Sequence, residues 1–199
     1  MSAIPGPFIT PEEYLKRERA AEFKSEYYRG EVFAMPGASR HHCRVSINLI
    51  GQLYNLLKDS GCHQFANNMR VGVGSEGLYT YPDLVIVCDA PEFRDNESDT
   101  LLNPKVIVEI LSKSTEGYDR GLKFQIYQSL PSLREYVLIS QEQLRVERYV
   151  RGDDDTWSIR IFSDPSSHLR FDSIDIAVPL GEIYAGVTFP DKPKGTLGA

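Results

Sequence analysis

The chain has 199 residues, enough for one domain with a sizeable core, and 41% apolar with 25% charged residues is ordinary for a water-exposed globular chain. A net charge of -6 and a pI near 5.3 exclude a general nucleic-acid coating protein, although not an enzyme that acts on nucleic acid through a local site. The longest apolar runs fall short of the roughly 18 residues that span a bilayer, so no membrane association is expected.

The opening "MSAIPGPFITPEEY" lacks a basic region followed by an apolar core, so no secretory signal is expected. "TPEEYLKRERAAEF" predicts a helix with Thr10 as cap, Pro11 in the first turn and Glu13 completing a capping box. "SEYYRGEVFAM" alternates around Gly30 and predicts a hairpin over 26–35. Residues 40–58 predict a helix with a stripe of Val45, Leu49, Leu53 and Leu56, flanked by Ile50, Tyr54 and Leu57. "HQFANNMRVGV" reads as one strand and "GSEGLYTY" as a loop. "GVGSEG" matches GxGxxG, but strand-like sequence follows where a dinucleotide site needs a helix, so it reads as a glycine-rich strand connection.

"YPDLVIVCD" and "PKVIVEILS" predict two strands rich in β-branched residues, with the polar stretch "APEFRDNESDTLLN" between them as a surface loop. "TEGYDRGLKFQIYQSL" predicts a second helix, and "REYVLIS", "LRVERYVR" and "WSIRIF" three further strands. Residues 1–188 read as a single domain and residues 189–199 as a flexible tail. The element order indicates an α/β fold with a mixed central sheet flanked by helices and a C-terminal strand meander. Strands covered on both faces would explain their near-continuous hydrophobicity.

Cys43, Cys62 and Cys88 are odd in number and form no CxxC, which argues against a disulfide framework or a zinc site and for a reducing, cytoplasmic setting. Cys88 reads as a small buried hydrophobe. His41 and His42 are adjacent on a helix and no HExxH occurs, so no zinc site is expected there. No GxSxG elbow supports a hydrolase triad.

The carboxylates carry more. Glu109 interrupts the apolar run "VIVEIL", and Asp83 opens the preceding one. If those strands pair, the two carboxylates can lie about 5 Å apart on one face. Like charges at that distance repel unless they share a cation or a proton, and an oxygen-rich pair suits Mg²⁺ or Mn²⁺. The bland alternative starts a strand with Asp83 at a sheet edge and leaves Glu109 exposed or bonded to a basic residue.

The run "PDLVIVCD…PKVIVEILSKSTEGYDRGLKFQIYQSLPSLREYVLIS" resembles the Uma-type family of putative restriction endonucleases, a bacterial family abundant in cyanobacteria, within the PD-(D/E)XK nuclease superfamily. "SEYYRGEVFAMPGAS" and "HHCRVSINLIGQL" resemble its N-terminal hairpin and following helix, so the similarity runs from about residue 10 to about residue 188. The resemblance implies a restriction-endonuclease-like core, metal-dependent phosphodiester cleavage with DNA as substrate, and a homodimer. It implies that Asp83, Glu109 and Glu31 (with Glu26 as a further acidic match) bind Mg²⁺ or Mn²⁺. The lysine that the superfamily places two residues after the glutamate is Leu111 here. Lys123 on the following helix is then the candidate catalytic lysine, against a plain ion pair with Asp119 four residues away. Lys113 is a weaker candidate, because the family usually has proline there. Two alternatives stand beside the nuclease. One is a catalytically degenerate nuclease-like domain kept for binding or regulation. The other is a two-carboxylate glycosidase, for which no platform of aromatics speaks.

Overall fold

The computed structural model describes residues 7–74 and 77–189. Helix α1 (Pro11–Ala20) starts as expected, with the Glu13 N–H donating to Thr10 Oγ1 at 3.3 Å, while the Glu13 carboxylate turns to Arg17. Strands β1 (Ser25–Tyr28) and β2 (Glu31–Ala34) form the expected hairpin. Its turn needs left-handed backbone at both Arg29 and Gly30 (φ 46° and 96°), which is why a glycine ends it. Helix α2 (Arg40–Leu57) is capped by Ser39. It buries Val45, Leu49, Leu53 and Leu57, whereas the predicted Leu56 is exposed along with Tyr54. Positions three and four beyond Leu53 fit the helical period about equally well, and the sheet beneath selects the latter.

The stretch expected as one strand over 63–73 is two: β3 (His63–Ala66) and β4 (Arg70–Val73), separated by a turn and belonging to different sheets. The expected loop 74–81 contains β5 (Leu78–Thr80), paired antiparallel with β4. The GxGxxG match therefore joins two strands, with residues 75 and 76 outside the described residues. Strands β6 (Leu84–Val87), β7 (Thr100–Leu101) and β8 (Val106–Leu111) follow, β7 lying inside the stretch expected as a surface loop. The predicted second helix is α3 (Glu116–Tyr118), a π-helical turn (Asp119–Lys123) and α4 (Phe124–Tyr127) in series. The meander is β9 (Glu135–Ser140), β10 (Val146–Arg151) and β11 (Trp157–Phe162). After it come β12 (His168–Phe171), β13 (Ile176–Pro179) and α5 (Leu180–Ile183), which were not anticipated. Of the stretch expected as a tail, Phe189 packs its ring on Tyr184 at 5.5 Å, and residues 190–199 lie outside the described residues.

A six-stranded sheet, ordered β11-β10-β9-β8-β6-β3, is antiparallel except for the parallel β8–β9 pair. One face packs on α2, β12–β13 and α5 through Leu84, Ile86, Val106, Val108 and Ile110. The other face uses Val85, Val87, Ile107 and Leu111. It meets α4 and a five-stranded sheet, β2-β1-β5-β4-β7. Both faces of β6 and β8 are covered, which accounts for their unbroken apolar runs. Among the described residues no helix is long and apolar enough to cross a membrane.

The cysteine expectation is corrected. Cys62 and Cys88 form a disulfide. Continuing the His63↔Val87 register by one residue sets the two opposite each other, so strand pairing brings them together without any CxxC signature. Cys88 is thus not a free buried thiol, and the cysteine count no longer argues for a reducing compartment. Cys43 is free and exposed.

Candidate active site

The register Leu84↔Val108, continued by one residue, sets Asp83 opposite Glu109. Glu109 points to the same face of the sheet as Ile107 and Leu111, toward α4. Asp83 stands just before β6, and its Oδ2 accepts a hydrogen bond from the Ile110 N–H at 2.7 Å. Its other oxygen, Oδ1, lies 3.1 Å from His42 Nε2. Both carboxylates line one cleft of about 540 Å³, as expected of residues acting together.

Lys123 reaches the same place by way of the π-helical turn. The turn brings Asp119 and Lys123 inward together, at 4% exposure each. A π-turn inside a helix often marks a functional position. Lys123 Nζ lies 2.9 Å from Glu109 Oε1, 3.1 Å from Glu26 Oε1 and 3.7 Å from Asp119 Oδ1. The bland ion pair with Asp119 is therefore the longest of the three contacts, and the side chain is centred on the carboxylates of β1 and β8. Tyr127 Oη donates to Glu109 Oε1 at 3.3 Å, closing the site on the α4 side.

The structure separates the two acidic residues of the first hairpin. Glu31 is exposed at the turn end of β2 and does not line the cleft. Glu26 is buried on β1, opposite Thr80 in the continued β1–β5 register. Its Oε1 accepts from the Thr80 hydroxyl, from the Tyr81 N–H at 3.3 Å and from Lys123. The site thus gathers Asp83, Glu109 and Lys123 as expected, takes Glu26 rather than Glu31, and adds Asp119. Leu111, at the position where the resemblance would lead one to expect a lysine, is buried in the apolar core and does not line the cleft. Lys113 has an exposed side chain paired with Glu142 at 3.3 Å.

Burial pushes the Glu109 carboxyl well above its ordinary range. Lys123 pulls it down, while Asp119, Asp83 and Glu26 push it further up. Burial likewise raises Asp119 against the pull of Lys123. Burial works against a charged Lys123, but Glu109 and Glu26 outweigh it and hold its proton firmly. Glu109 and Asp119 therefore hold their protons more tightly than in water, beside a persistent cation at Lys123.

The donors suit a hard divalent cation, since all are carboxylate oxygens. Glu26 Oε2 is buried and has no hydrogen-bond partner, a cost that a cation would remove. Among the described residues no group of three or more His, Cys, Asp or Glu side chains is placed to hold a metal ion. An open site of one or two carboxylates, completed by water and substrate phosphate, is the arrangement Mg²⁺ accepts, and Asp83 with Glu109 fit it.

Three contributors were not legible in advance. Asp119 was visible only as an i,i+4 partner of Lys123. Tyr127 reads as one more apolar helix position. His42 reads as half of an adjacent histidine pair.

Comparison with known proteins agrees with this fold. Residues 11–178 match the Uma2 family, described as "Putative restriction endonuclease". The uncharacterized protein slr1290 of Synechocystis sp. is 34% identical over 188 residues, covering 94% of this chain and 97% of its own length. A second Synechocystis protein, the uncharacterized sll1609, is 35% identical over 168 residues, covering 84% of this chain and 95% of its own. A crystal structure described as a putative nuclease belonging to DUF820, from Anabaena variabilis ATCC 29413, shares the fold. Its TM-score is 0.71 at 19% identity, over 88% of this chain and 97% of that one. The chain is a member of the Uma2 family.

Proposed function

We propose that this protein is a metal-dependent endonuclease of the PD-(D/E)XK type that hydrolyses phosphodiester bonds in DNA. The observation that carries the reading is the approach of Lys123 Nζ to Glu109 at 2.9 Å, in the cleft that Asp83 also lines. Asp83 and Glu109 would hold Mg²⁺ or Mn²⁺, with the unpartnered Glu26 Oε2 adding negative potential to the cleft rather than a third ligand. The bound ion would polarise the phosphate and make water a better nucleophile. Lys123 would balance the extra charge of the phosphodiester transition state and orient the attacking water, while Tyr127 holds Glu109 in place. The carboxylates lining the cleft disfavour a phosphate without a cation, which supports the metal requirement of this reading. The reading includes a homodimer, whose two clefts would address two strands; sedimentation equilibrium checks it.

A second reading, a nuclease-like domain that binds but does not cut, is favoured by Leu111 in place of the motif lysine. The deciding experiment is single-turnover cleavage of plasmid, DNA oligonucleotides and RNA with Mn²⁺, using wild type and Asp83→Asn. Wild-type cleavage of DNA that Asp83→Asn loses supports the nuclease. Wild-type binding without cleavage on any substrate supports the second reading.

A further inference from the structure

We propose that His42 is a positioning residue that holds the Asp83 carboxylate in its metal-binding orientation, an inference that rests on the nuclease reading above. Neither the family resemblance nor the carboxylate pattern assigns this histidine a role.

The geometry is specific. Of two adjacent histidines in the first turn of α2, His41 turns to the Phe189 ring, with centroids 6.5 Å apart, and His42 turns into the cleft. His42 Nε2 stands 3.1 Å from Asp83 Oδ1, while Asp83 Oδ2 is held by the Ile110 N–H at 2.7 Å. Each carboxylate oxygen thus has a protein neighbour and keeps lone-pair capacity for a metal. An aspartate at the open end of a strand can swing about its side-chain torsions, and contacts on both oxygens remove that freedom.

The backbone of His42 is itself tied to the strand that carries Glu109. Its N–H donates to Ser39 Oγ at 3.1 Å, and Ser39 Oγ bonds Gln141 Oε1. Gln141 Nε2 then donates to the Leu111 carbonyl at 2.9 Å. The turn of α2 that carries the imidazole is therefore tied to β8, and the imidazole itself to Asp83. It sets the distance between the two carboxylates that would share the ion. Partners of this kind around metal ligands typically contribute about 10- to 100-fold in metal affinity.

The test is calorimetric titration of Mn²⁺ into wild type, Asp83→Asn, His42→Ala and His42→Gln, with cleavage measured at limiting and saturating Mn²⁺. His42→Ala should weaken Mn²⁺ binding by about 10- to 100-fold and regain most of its cleavage at saturating Mn²⁺. His42→Gln, whose amide N–H can reach the place of Nε2–H, should stay within a few-fold of wild type. Unchanged affinity in His42→Ala overturns the proposal. So does equal weakening in His42→Gln, which would make the effect one of packing, and so does cleavage that stays lost at saturating Mn²⁺. A wild-type isotherm indistinguishable from that of Asp83→Asn would instead refute the metal reading itself and this inference with it.

Discussion

Replacing Lys123 by methionine keeps the length of the stem and removes the one cation at the centre of the cluster. Three carboxylates then lose a partner that sits at 2.9, 3.1 and 3.7 Å. Breaking a buried ion pair by removing one side costs about 3–5 kcal/mol, because the charge left behind has neither water nor a counter-ion. Here the remaining groups have a way out, since Glu109 and Asp119 are already displaced upward by burial and can take up protons. A carboxyl whose folded pKa is raised contributes stability that is fully present below its unfolded pKa and lost as pH rises through the folded value. Removing Lys123 raises both groups further, so the penalty should be largest in mildly alkaline solution and should shrink toward the ordinary carboxylate range. Urea unfolding of wild type and Lys123→Met at about pH 8 and about pH 5 measures it. The expected penalty is about 3–5 kcal/mol at the higher pH and clearly less at the lower. Equal penalties at both values, or a variant as stable as wild type at about pH 8, would refute the account of Lys123 as the charge that holds the cluster together. Cleavage should be compared where the variant is folded, and should fall by about a hundredfold or more, on the order of 3 kcal/mol.

The two acids of the first hairpin should separate experimentally. Glu31→Gln should keep the wild-type rise in Tm with Mg²⁺ or Mn²⁺, whereas Glu26→Gln should lose part of it, because only Glu26 lines the cleft. Leu111→Lys, which puts a lysine two residues after Glu109, should lower stability by several kcal/mol in chemical denaturation, the effective penalty of burying an ion. It should not increase cleavage, since Leu111 is 3% exposed in the apolar core and Lys123 already stands beside Glu109.

What the sequence by itself determined are the features that short-range physics controls. The Thr10 cap, the Gly30 turn, the long helix and the two buried strands follow from capping chemistry, backbone freedom and the spacing of apolar residues. A carboxylate inside a run as apolar as "VIVEIL" likewise announces a partner, because burying it alone is too costly. Strand alternation then places Asp83 and Glu109 together once β6 and β8 pair. The tertiary structure alone decided which distant residues complete the site. Strand register between β1 and β5 chose Glu26 over Glu31, and register between β3 and β6 joined Cys62 to Cys88. Packing against the sheet turned Leu57 inward and left Leu56 outside. Lys123 reaches Glu109 through a π-helical turn, whose i→i+5 bonding leaves no mark on a 3.6-residue pattern, and His42 meets Asp83 only because the first turn of α2 comes to the residue just before β6. Periodicity reports what each element does to its own side chains. Which side chains meet across elements depends on register and helix placement, and those are set by the shared core rather than by any local stretch.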